Sequence, residues 1–290
     1  MNNPLHARFY ADRALVQTVA VVENEGIARD TYRLRIDWPE LAARILPGQF
    51  VMIRLSPFHD PLLGRAFALY DVVRDPDGQP RGIDIVYLVA GKLTGHLKSC
   101  RPGEPLDIWG PLGNGFVPQP TQHLVMVAGG VGFTPFPAVA SEYLGLERYG
   151  DPLRQPSPSN RVTLCYGAVS ADRLAGLDDF RARNVHVHVA TDDGTAGHHG
   201  LVTDVLQQVL DYTDVTPHIV SCGPEPMLEA VCGIAAERNL SCEVSLEAPM
   251  ACGVGICFSC VAKVRETSGE WDYKRTCVEG PVFDATQLEW

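Results

Sequence analysis

Four cysteines near the carboxyl end of the 290-residue chain constrain its fold more than any other feature. Their spacing is C-x4-C-x2-C-x16-C, and they are Cys252, Cys257, Cys260 and Cys277. Proteins that hold a 2Fe-2S cluster in the plant-type manner use this spacing, and such clusters transfer single electrons. Gly253 and Gly255 lie in the first gap, where the absence of Cβ atoms lets the backbone wrap closely. The pattern predicts four iron ligands in a redox protein.

A zinc site is the alternative interpretation of the same cysteines, because four thiolates also bind Zn²⁺ tetrahedrally. Zinc sites more often pair two C-x2-C knuckles. Here three cysteines share the loop 252–260 and the fourth stands alone. The spacing therefore favours an iron–sulfur cluster, and zinc stays open at this point.

Composition limits the other classes of function. The net charge of −11 argues against a nucleic-acid partner, which would require a basic surface. No run approaches the roughly 18 apolar residues of a membrane span, and the first residues lack a signal-peptide pattern. Apolar neighbours indicate reduced thiols, not disulfides, at Cys100, Cys165, Cys222, Cys232 and Cys242. We therefore expect a cytoplasmic protein without a membrane or nucleic-acid partner.

The first part of the chain, residues 14–118, is predicted to form a small antiparallel β-barrel. Its apolar and β-branched runs are short and are bounded by turn residues, as in barrels of this kind. The predicted strands are Thr18–Glu23, Thr31–Asp37, Phe50–Leu55, Ala66–Val73 and Ile83–Ala90, with a brief helix over Thr94–Cys100. Gly110–Phe116 is predicted to be an interdomain turn.

Residues 119–244 show a different rhythm, in which apolar strands alternate with glycine turns and helices. This alternation predicts a parallel sheet covered on both faces, with a ligand at the carboxyl ends of its strands. The predicted strands are His123–Ala128, Val162–Gly167, Val185–Thr191 and Ile219–Cys222. Residues 245–290, which carry the four cysteines, are predicted to form a third, small unit.

Two glycine turns at the predicted edge of the sheet are candidate nucleotide-binding elements. Glycines between a strand and a helix let a pyrophosphate approach the backbone and the positive helix end. The spacing differs from the dinucleotide motif G-x-G-x-x-G, so a purely structural tight turn is the alternative. The candidate residues are Gly129, Gly130, Gly132 and Thr134 in the first turn and Cys222, Gly223 and Pro224 in the second.

Two segments of the predicted barrel can together hold a flavin. Arg65 opens one strand, and Gly91 precedes the predicted helix. An arginine and a helix N-terminus can bind a diphosphate, although a lone arginine at a strand edge is more often a solvated surface residue. His59, His96 and His123 are expected to be ordinary surface or packed residues, and no hydrolase or ATPase motif is present.

With these segments in order, the chain resembles the ferredoxin–NADP reductase superfamily, and within it the electron transfer subunits of NAD-linked dihydroorotate dehydrogenase. The resemblance runs from about residue 14 to the end. Its most specific parts are Ser-Leu-Glu-Ala-Pro-Met-Ala-Cys-Gly-Val-Gly-Ile-Cys-Phe-Ser-Cys at 245–260 and Tyr-Lys-Arg-Thr-Cys-Val-Glu-Gly-Pro-Val-Phe-Asp at 273–284.

The resemblance implies FAD in the barrel, NAD(H) on the second domain and a 2Fe-2S cluster at the four cysteines. The implied partner is an FMN-containing catalytic subunit that oxidises dihydroorotate to orotate in pyrimidine biosynthesis, in an assembly with two of each subunit. In this family electrons pass between NAD(H), FAD, cluster and partner. The FAD-binding motifs fall on Arg65, Ala66, Phe67, Ala68, Tyr87, Leu88, Val89, Gly91 and Thr94.

Two positions depart from the family pattern, which usually has Ser or Thr at Ala68 and a glycine at Leu93. The alternative function is a reductase subunit of the same superfamily that serves another acceptor, in a ferredoxin transhydrogenase, a hydrogenase or a glutamate synthase. Ser170 and Arg173 could meet the 2′-phosphate of NADP, but Asp172 between them would repel it, which favours NAD.

Overall fold

The computed structural model describes residues 11–57, 60–156, 158–266 and 268–290, so His59 lies outside the described residues. Six antiparallel strands form a closed barrel in the order β1-β2-β5-β4-β3-β6. Buried aliphatic side chains fill its interior. The strands are β1 (Leu15–Ala28), β2 (Thr31–Asp37), β3 (Phe50–Leu55), β4 (Arg65–Arg74), β5 (Pro80–Leu88) and β6 (Pro105–Leu112), with helices α1 (Pro39–Arg44) and α2 (Lys92–Leu97).

The predicted barrel is confirmed, and each of its five predicted strands has a counterpart. The prediction missed β6, because two prolines and a glycine within eight residues argue against a strand. In the structure β6 alternates buried and partly exposed residues and closes the barrel between β1 and β3. The predicted start of α2 at Thr94 was also wrong, since the helix begins at Lys92.

A sheet of seven strands follows, in the order β10-β9-β8-β7-β11-β12-β15. All neighbouring strands are parallel except β15, which pairs antiparallel with β12 at the edge. The predicted parallel sheet is therefore confirmed. Its strands are β7 (His123–Gly129), β8 (Arg161–Ala168), β9 (His186–Thr191), β10 (His198–His199), β11 (His218–Cys222), β12 (Ser241–Ser245) and β15 (Val282–Asp284).

Helices cover the sheet on both faces, and a small hairpin lies between β12 and β15 along the chain. The helices are α3 (Phe136–Tyr143), α4 (Leu177–Ala182), α5 (Val202–Asp211) and α6 (Glu225–Glu237), and the hairpin strands are β13 (Val261–Arg265) and β14 (Trp271–Arg275). Every residue of α3 is buried, because this helix lies between the sheet and β4 of the barrel. Within the described ranges, none of the helices is both long and apolar enough to cross a membrane.

Partly buried polar contacts fix the barrel against the sheet domain. Tyr70 on β4 donates a hydrogen bond to Asp179 on α4 at 2.5 Å. Asp71 accepts hydrogen bonds from Arg183 and, at 3.1 Å, from the Tyr149 hydroxyl. Burial raises the pKa of Asp71, and the Arg183 charge opposes that rise. Because buried carboxylates are costly without partners, these contacts hold the two domains in one relative orientation.

The segment Gly110–Phe116 joins the barrel to the sheet and also binds the C-terminal segment. The Asn114 side chain donates to the Val282 carbonyl at 2.7 Å and accepts from its N–H at 3.1 Å. Gly113 has φ +76°, and a Cβ there would lie 2.6 Å from Pro281. The prediction of a turn was wrong for Gly110–Leu112, which belong to β6, and the residues that follow them, 113–116, lie where all three parts of the chain meet.

The buried side chain of His123 should make the stability of the folded protein depend on pH. Its ring nitrogens lie 2.9 Å from Thr213 Oγ1 and 2.8 Å from Thr163 Oγ1, and burial lowers its pKa to about 4. The unfolded chain therefore binds the proton more tightly, so stability is full above about pH 6.5 and falls as the pH drops toward 4. Between pH 7 and pH 4, the free energy of unfolding of His123→Gln should therefore decrease less than that of the wild type, by on the order of 2 kcal/mol.

The measurement is urea unfolding, followed by fluorescence at several pH values between 7 and 4. The exposed His96 provides the matched control, and His96→Gln should retain the wild-type pH dependence. Equal pH dependence in wild type and His123→Gln would contradict the assignment of a buried neutral histidine.

Candidate functional site

A cavity of about 550 Å³ lies where the barrel, the sheet and the C-terminal segment meet. Its size is within the range of sites that hold cofactors. The barrel contributes β4, the end of β5 and the start of α2, and the sheet contributes Val131, Thr134 and Cys222. Most of the remaining wall is the segment 245–250, which immediately precedes the cysteine loop.

The cavity brings together most of the residues that the sequence singled out for flavin and nucleotide binding. Those in its wall are Arg65, Ala66, Phe67, Ala68, Tyr87, Leu88, Gly91, Thr94, Thr134 and Cys222. Those outside the wall are Val89, Gly129, Gly130, Gly132, Gly223 and Pro224. A larger share of the barrel candidates than of the glycine-turn candidates therefore lies in the cavity wall.

Arg65 and Thr94 lie at the mouth of the cavity in different local settings. Arg65 is exposed, and its Nη1 donates to the carbonyls of Leu63 and Gly64 at 3.2 and 2.9 Å. The Thr94 hydroxyl oxygen accepts the N–H groups of Ala90 and Gly91, each at 3.0 Å. Arg65 therefore has a free side to offer a diphosphate, whereas Thr94 shapes the turn that opens α2.

Tyr87 contributes mainly to the barrel interior. Its side chain is 1% exposed, and its hydroxyl donates to Asn24 Oδ1 at 3.0 Å. Burial raises the pKa of Tyr87, so the phenol stays protonated. Leu93, which replaces the usual glycine of the family pattern, is 2% exposed and packs in the same core. Ala68 lines the cavity and brings no side-chain hydrogen-bond donor to it.

The two glycine turns pack directly against each other, which gives several of their glycines a structural reason. A Cβ at Gly129 would lie 2.7 Å from Met227 Sδ, and one at Gly132 would lie 2.2 Å from the Cys222 carbonyl oxygen. Gly130 has φ +54° and faces open space. The tight-turn alternative thus accounts for Gly129 and Gly132, while Gly130 leaves room for a ligand.

Asp172 and Arg173 lie beyond the carboxyl end of β8. Asp172 accepts hydrogen bonds from Ser170 at 2.5 Å and from Arg29 at 3.2 Å, and these contacts lower its pKa. Arg173 faces Asp30 at 3.6 Å. An ionised carboxylate therefore stands at this position, and the nearby arginine already has an acidic partner.

The four cysteines of the motif are arranged as two interacting pairs, Cys252 with Cys257 and Cys260 with Cys277. Cys257 is exposed, whereas Cys260 and Cys277 are buried. Hydrogen bonds from Ser259 lower the pKa of Cys257 to about 6, and the Cys277 thiol lowers that of Cys260 to about 6. Both shifts favour the thiolate, which is the form that binds metal, whereas the contact with Cys260 raises the pKa of Cys277, so Cys260 and Cys277 share one proton.

This donor set fits a 2Fe-2S cluster, in which each of the two irons takes two protein ligands. Among the described residues, no group of three or more His, Cys, Asp or Glu is arranged closely enough to hold a metal ion. The fit therefore rests on the chemistry of the donor set, four soft thiol ligands, which is the number that two irons require.

The cysteine loop packs against the barrel. Cys260, Cys277 and Val278 form one buried cluster with Phe50, Met52 and Leu112 of the barrel strands. Trp109 Nε1 donates to the Cys252 carbonyl at 3.0 Å. Gly253 has φ +71°, and a Cβ there would lie 2.5 Å from Met52 Cγ, so only glycine allows this approach.

Sequence reasoning missed Glu247, whose carboxyl group lies in the cavity wall near Cys222. Glu247 is exposed to solvent at this wall. The signal was present in the Ser-Leu-Glu stretch of the family motif. Glu247 could not be recognised from this stretch, because a single glutamate beside a cysteine loop is not part of any spacing pattern that indicates a ligand.

Three family models match successive parts of the chain. An oxidoreductase FAD-binding domain matches residues 18–116, and an oxidoreductase NAD-binding domain matches residues 126–233. The iron–sulfur cluster binding domain of dihydroorotate dehydrogenase B matches residues 247–289. These matches agree with the predicted fold class, a flavin-binding barrel, a nucleotide-binding α/β domain and a small C-terminal 2Fe-2S domain, and with the predicted cofactors.

Among solved structures, the fold is similar to an NADH-dependent reduced ferredoxin–NADP oxidoreductase studied for flavin-based electron bifurcation. The TM-score is 0.77 at 28% identity, with coverage of 94% of this chain and 90% of that chain. The ferredoxin reductase of carbazole 1,9a-dioxygenase has a TM-score of 0.63 at 22% identity, over 78% of this chain and 67% of that chain. The second similarity concerns the fold alone.

Curated relatives match over nearly the whole chain. The electron transfer subunit of dihydroorotate dehydrogenase B (NAD(+)) from Desulforamulus reducens is 34% identical, over 91% of this chain and 94% of the relative. The subunit of the same name from Shouchella clausii is 35% identical, over 93% and 96%. Together with the family models, these similarities show that the chain belongs to the family of dihydroorotate dehydrogenase B electron transfer subunits.

Proposed function

We propose that this chain is the electron transfer subunit of an NAD-linked dihydroorotate dehydrogenase of pyrimidine biosynthesis. One observation carries the proposal: the segment 245–250 forms a wall of the cofactor cavity, and only Ala251 separates it from the first cluster ligand, Cys252. A flavin in the cavity and a cluster at the cysteines are therefore neighbours along one short segment. When bound, FAD exchanges a hydride with NAD(H) and the 2Fe-2S cluster carries electrons singly.

The chain's own residues bind and position these groups. In the proposed division, residues 14–118 bind FAD, 119–244 bind NAD(H) and 245–290 hold the cluster. Arg65 takes the diphosphate of FAD, and the strand ends at Ala66–Ala68 and Tyr87–Val89 with Gly91 and Thr94 complete its site. The two glycine turns take NAD(H), with Gly130 as the point of closest backbone approach. Cys252, Cys257, Cys260 and Cys277 bind iron.

We propose that the partner is an FMN-containing catalytic subunit and that the two proteins form a cytoplasmic assembly with two of each subunit. The surface beside the cysteine loop supports docking of such a partner. Cys257 is exposed, and so are large side chains beside it in the sequence and on strand β14. Their exposed fractions are 71% for Ile256, 58% for Phe258, 47% for Trp271 and 57% for Tyr273. Exposed aromatic groups of this kind are typical anchors of protein interfaces.

A reductase that serves a different acceptor is the second candidate. The structural neighbour involved in electron bifurcation has the same overall fold and a different named activity. The cofactor sites would be the same in both cases, so the partner decides between them.

The first test combines the cluster-replete protein with the dihydroorotate-oxidising subunit of the same organism, without oxygen. We expect NAD⁺ reduction on addition of dihydroorotate only when both proteins are present. Cys257→Ser should abolish it, because the exposed ligand lies on the proposed electron path, and Cys100→Ser, far from the cluster in sequence, should retain it. If NADH reduces the flavin but dihydroorotate yields no NADH, the second candidate is favoured.

Docking through the exposed aromatic residues gives a second prediction. Trp271→Ala should weaken binding of the catalytic subunit about tenfold, because truncating an interface aromatic residue commonly costs more than 1 kcal/mol. Calorimetric titration of the two subunits measures this effect. Tyr212, 88% exposed at the end of α5, provides the control, and Tyr212→Ala should bind as the wild type does. Unchanged binding by Trp271→Ala would place the interface elsewhere.

Asp172 gives a prediction for coenzyme choice. A carboxylate at this position accepts the ribose hydroxyls of NAD and repels a 2′-phosphate. We expect Asp172→Ala to raise the ratio of kcat/KM for NADPH to that for NADH at least tenfold, measured by anaerobic bleaching of the flavin. Asp214, exposed and paired with Arg161, provides the control. A variant with the wild-type coenzyme preference would exclude Asp172 from the coenzyme site.

A further inference from the structure

Arg275 connects the separate parts of the cysteine site through one buried guanidinium group. It ends β14, two residues before Cys277, and is 8% exposed. Its Nη1 donates to the Gly255 carbonyl at 2.9 Å, in the loop between the first two cysteines. Its guanidinium also lies over the Phe258 ring, 5.1 Å from the ring centre. One side chain thus contacts the loop on both sides of Cys257.

Glu279 holds this guanidinium in place. Its carboxylate accepts the Arg275 Nε–H at 3.1 Å and the Nη2–H at 2.7 Å, as well as the Arg275 backbone N–H at 2.6 Å. This fork occupies one edge of the guanidinium and directs Nη1 toward Gly255. A lysine could not make both sets of contacts, because its ammonium group is a single point of charge.

The loop is built to receive the guanidinium. Gly255 has φ +79°, and a Cβ there would lie 3.3 Å from Arg275 Nη1 and 3.2 Å from Val278. Phe258 adopts φ +59°, a conformation that residues other than glycine seldom take. Such a conformation persists where surrounding contacts hold it, and the ring contact with Arg275 is one of them.

We infer that Arg275, held by Glu279, is a positioning residue for the iron–sulfur cluster, an inference that rests on the proposed function. It fixes the loop 252–258 relative to the strand that leads to Cys277, so the two pairs of sulfurs keep their spacing. Its buried positive charge also stabilises the additional negative charge of the reduced cluster. Glu279 opposes that charge effect while it maintains the geometry.

The experiment uses the full chain with FAD and cluster, and measures two properties of each variant. One is the rate of iron loss to an added chelator, and the other is the cluster midpoint potential from an anaerobic EPR titration. Arg275→Gln should lose iron at least tenfold faster than wild type and have a lower potential. Glu279→Gln should also lose iron faster, but its potential should rise.

Two further variants separate the geometry from the charge. Arg275→Lys should have a midpoint potential closer to that of the wild type than Arg275→Gln has, because lysine retains the positive charge. It should still lose iron severalfold faster than the wild type, because lysine cannot make the paired hydrogen bonds to Glu279. Phe258→Leu should accelerate iron loss without the lower potential. The control is Arg265→Gln, on the same hairpin, whose arginine is 53% exposed and pairs with Glu289 at 3.2 Å. It should behave as wild type.

The FAD content of each variant shows whether the rest of the chain is folded. If Arg275→Gln retains FAD, iron and the wild-type potential, Arg275 does not position the cluster. If it fails to fold, Arg275→Lys and Phe258→Leu decide the question, and wild-type iron-loss rates in both would overturn the inference. A wild-type chain without iron and acid-labile sulfide would instead contradict the proposed function itself.

Discussion

The fixed position of the C-terminal segment is the constraint on which both sites depend. Strand β15 pairs with β12, and the Leu246 N–H donates to the Pro281 carbonyl at 2.9 Å. Asn114 holds the same region from the barrel side. Because 245–250 forms part of the cavity wall and leads directly into the cysteine loop, these contacts set the separation between the two proposed redox sites. Electron transfer between cofactors depends on that separation.

The contacts between barrel and sheet have a corresponding role for hydride transfer. The barrel carries the proposed flavin residues and the sheet carries the proposed NAD(H) residues, so the angle between the domains decides whether the two cofactors meet. Buried α3 and the partners of Asp71 and Asp179 fix that angle. The protein thus needs no acid–base dyad for the proposed reaction, because its contribution is the placement of cofactors that supply the chemistry.

Local signals in the sequence were sufficient for the fold class and for the cysteine motif. Short β-branched runs predicted five barrel strands, and cysteine spacing predicted a cluster. Strand β6 could not be predicted, because its prolines and its glycine argue against a strand. Strand β15 could not be predicted either, because it forms by pairing with β12, which is distant in the sequence. The glycine turns show a further limit: sequence alone cannot tell whether Gly132 faces a ligand or, as here, the Cys222 carbonyl. Arg275 was not singled out, because its contacts with Gly255 and Phe258 are made across the fold.

The central claim is that flavin and cluster form one electron path within this single chain. Stopped-flow mixing of the purified protein with NADH, without oxygen and without the catalytic subunit, tests it most directly. The account predicts that the flavin absorbance bleaches first and that the EPR signal of a reduced cluster then develops in the same sample. The claim would be contradicted if NADH fully reduced the flavin while the cluster stayed oxidised, in a sample whose cluster dithionite can reduce.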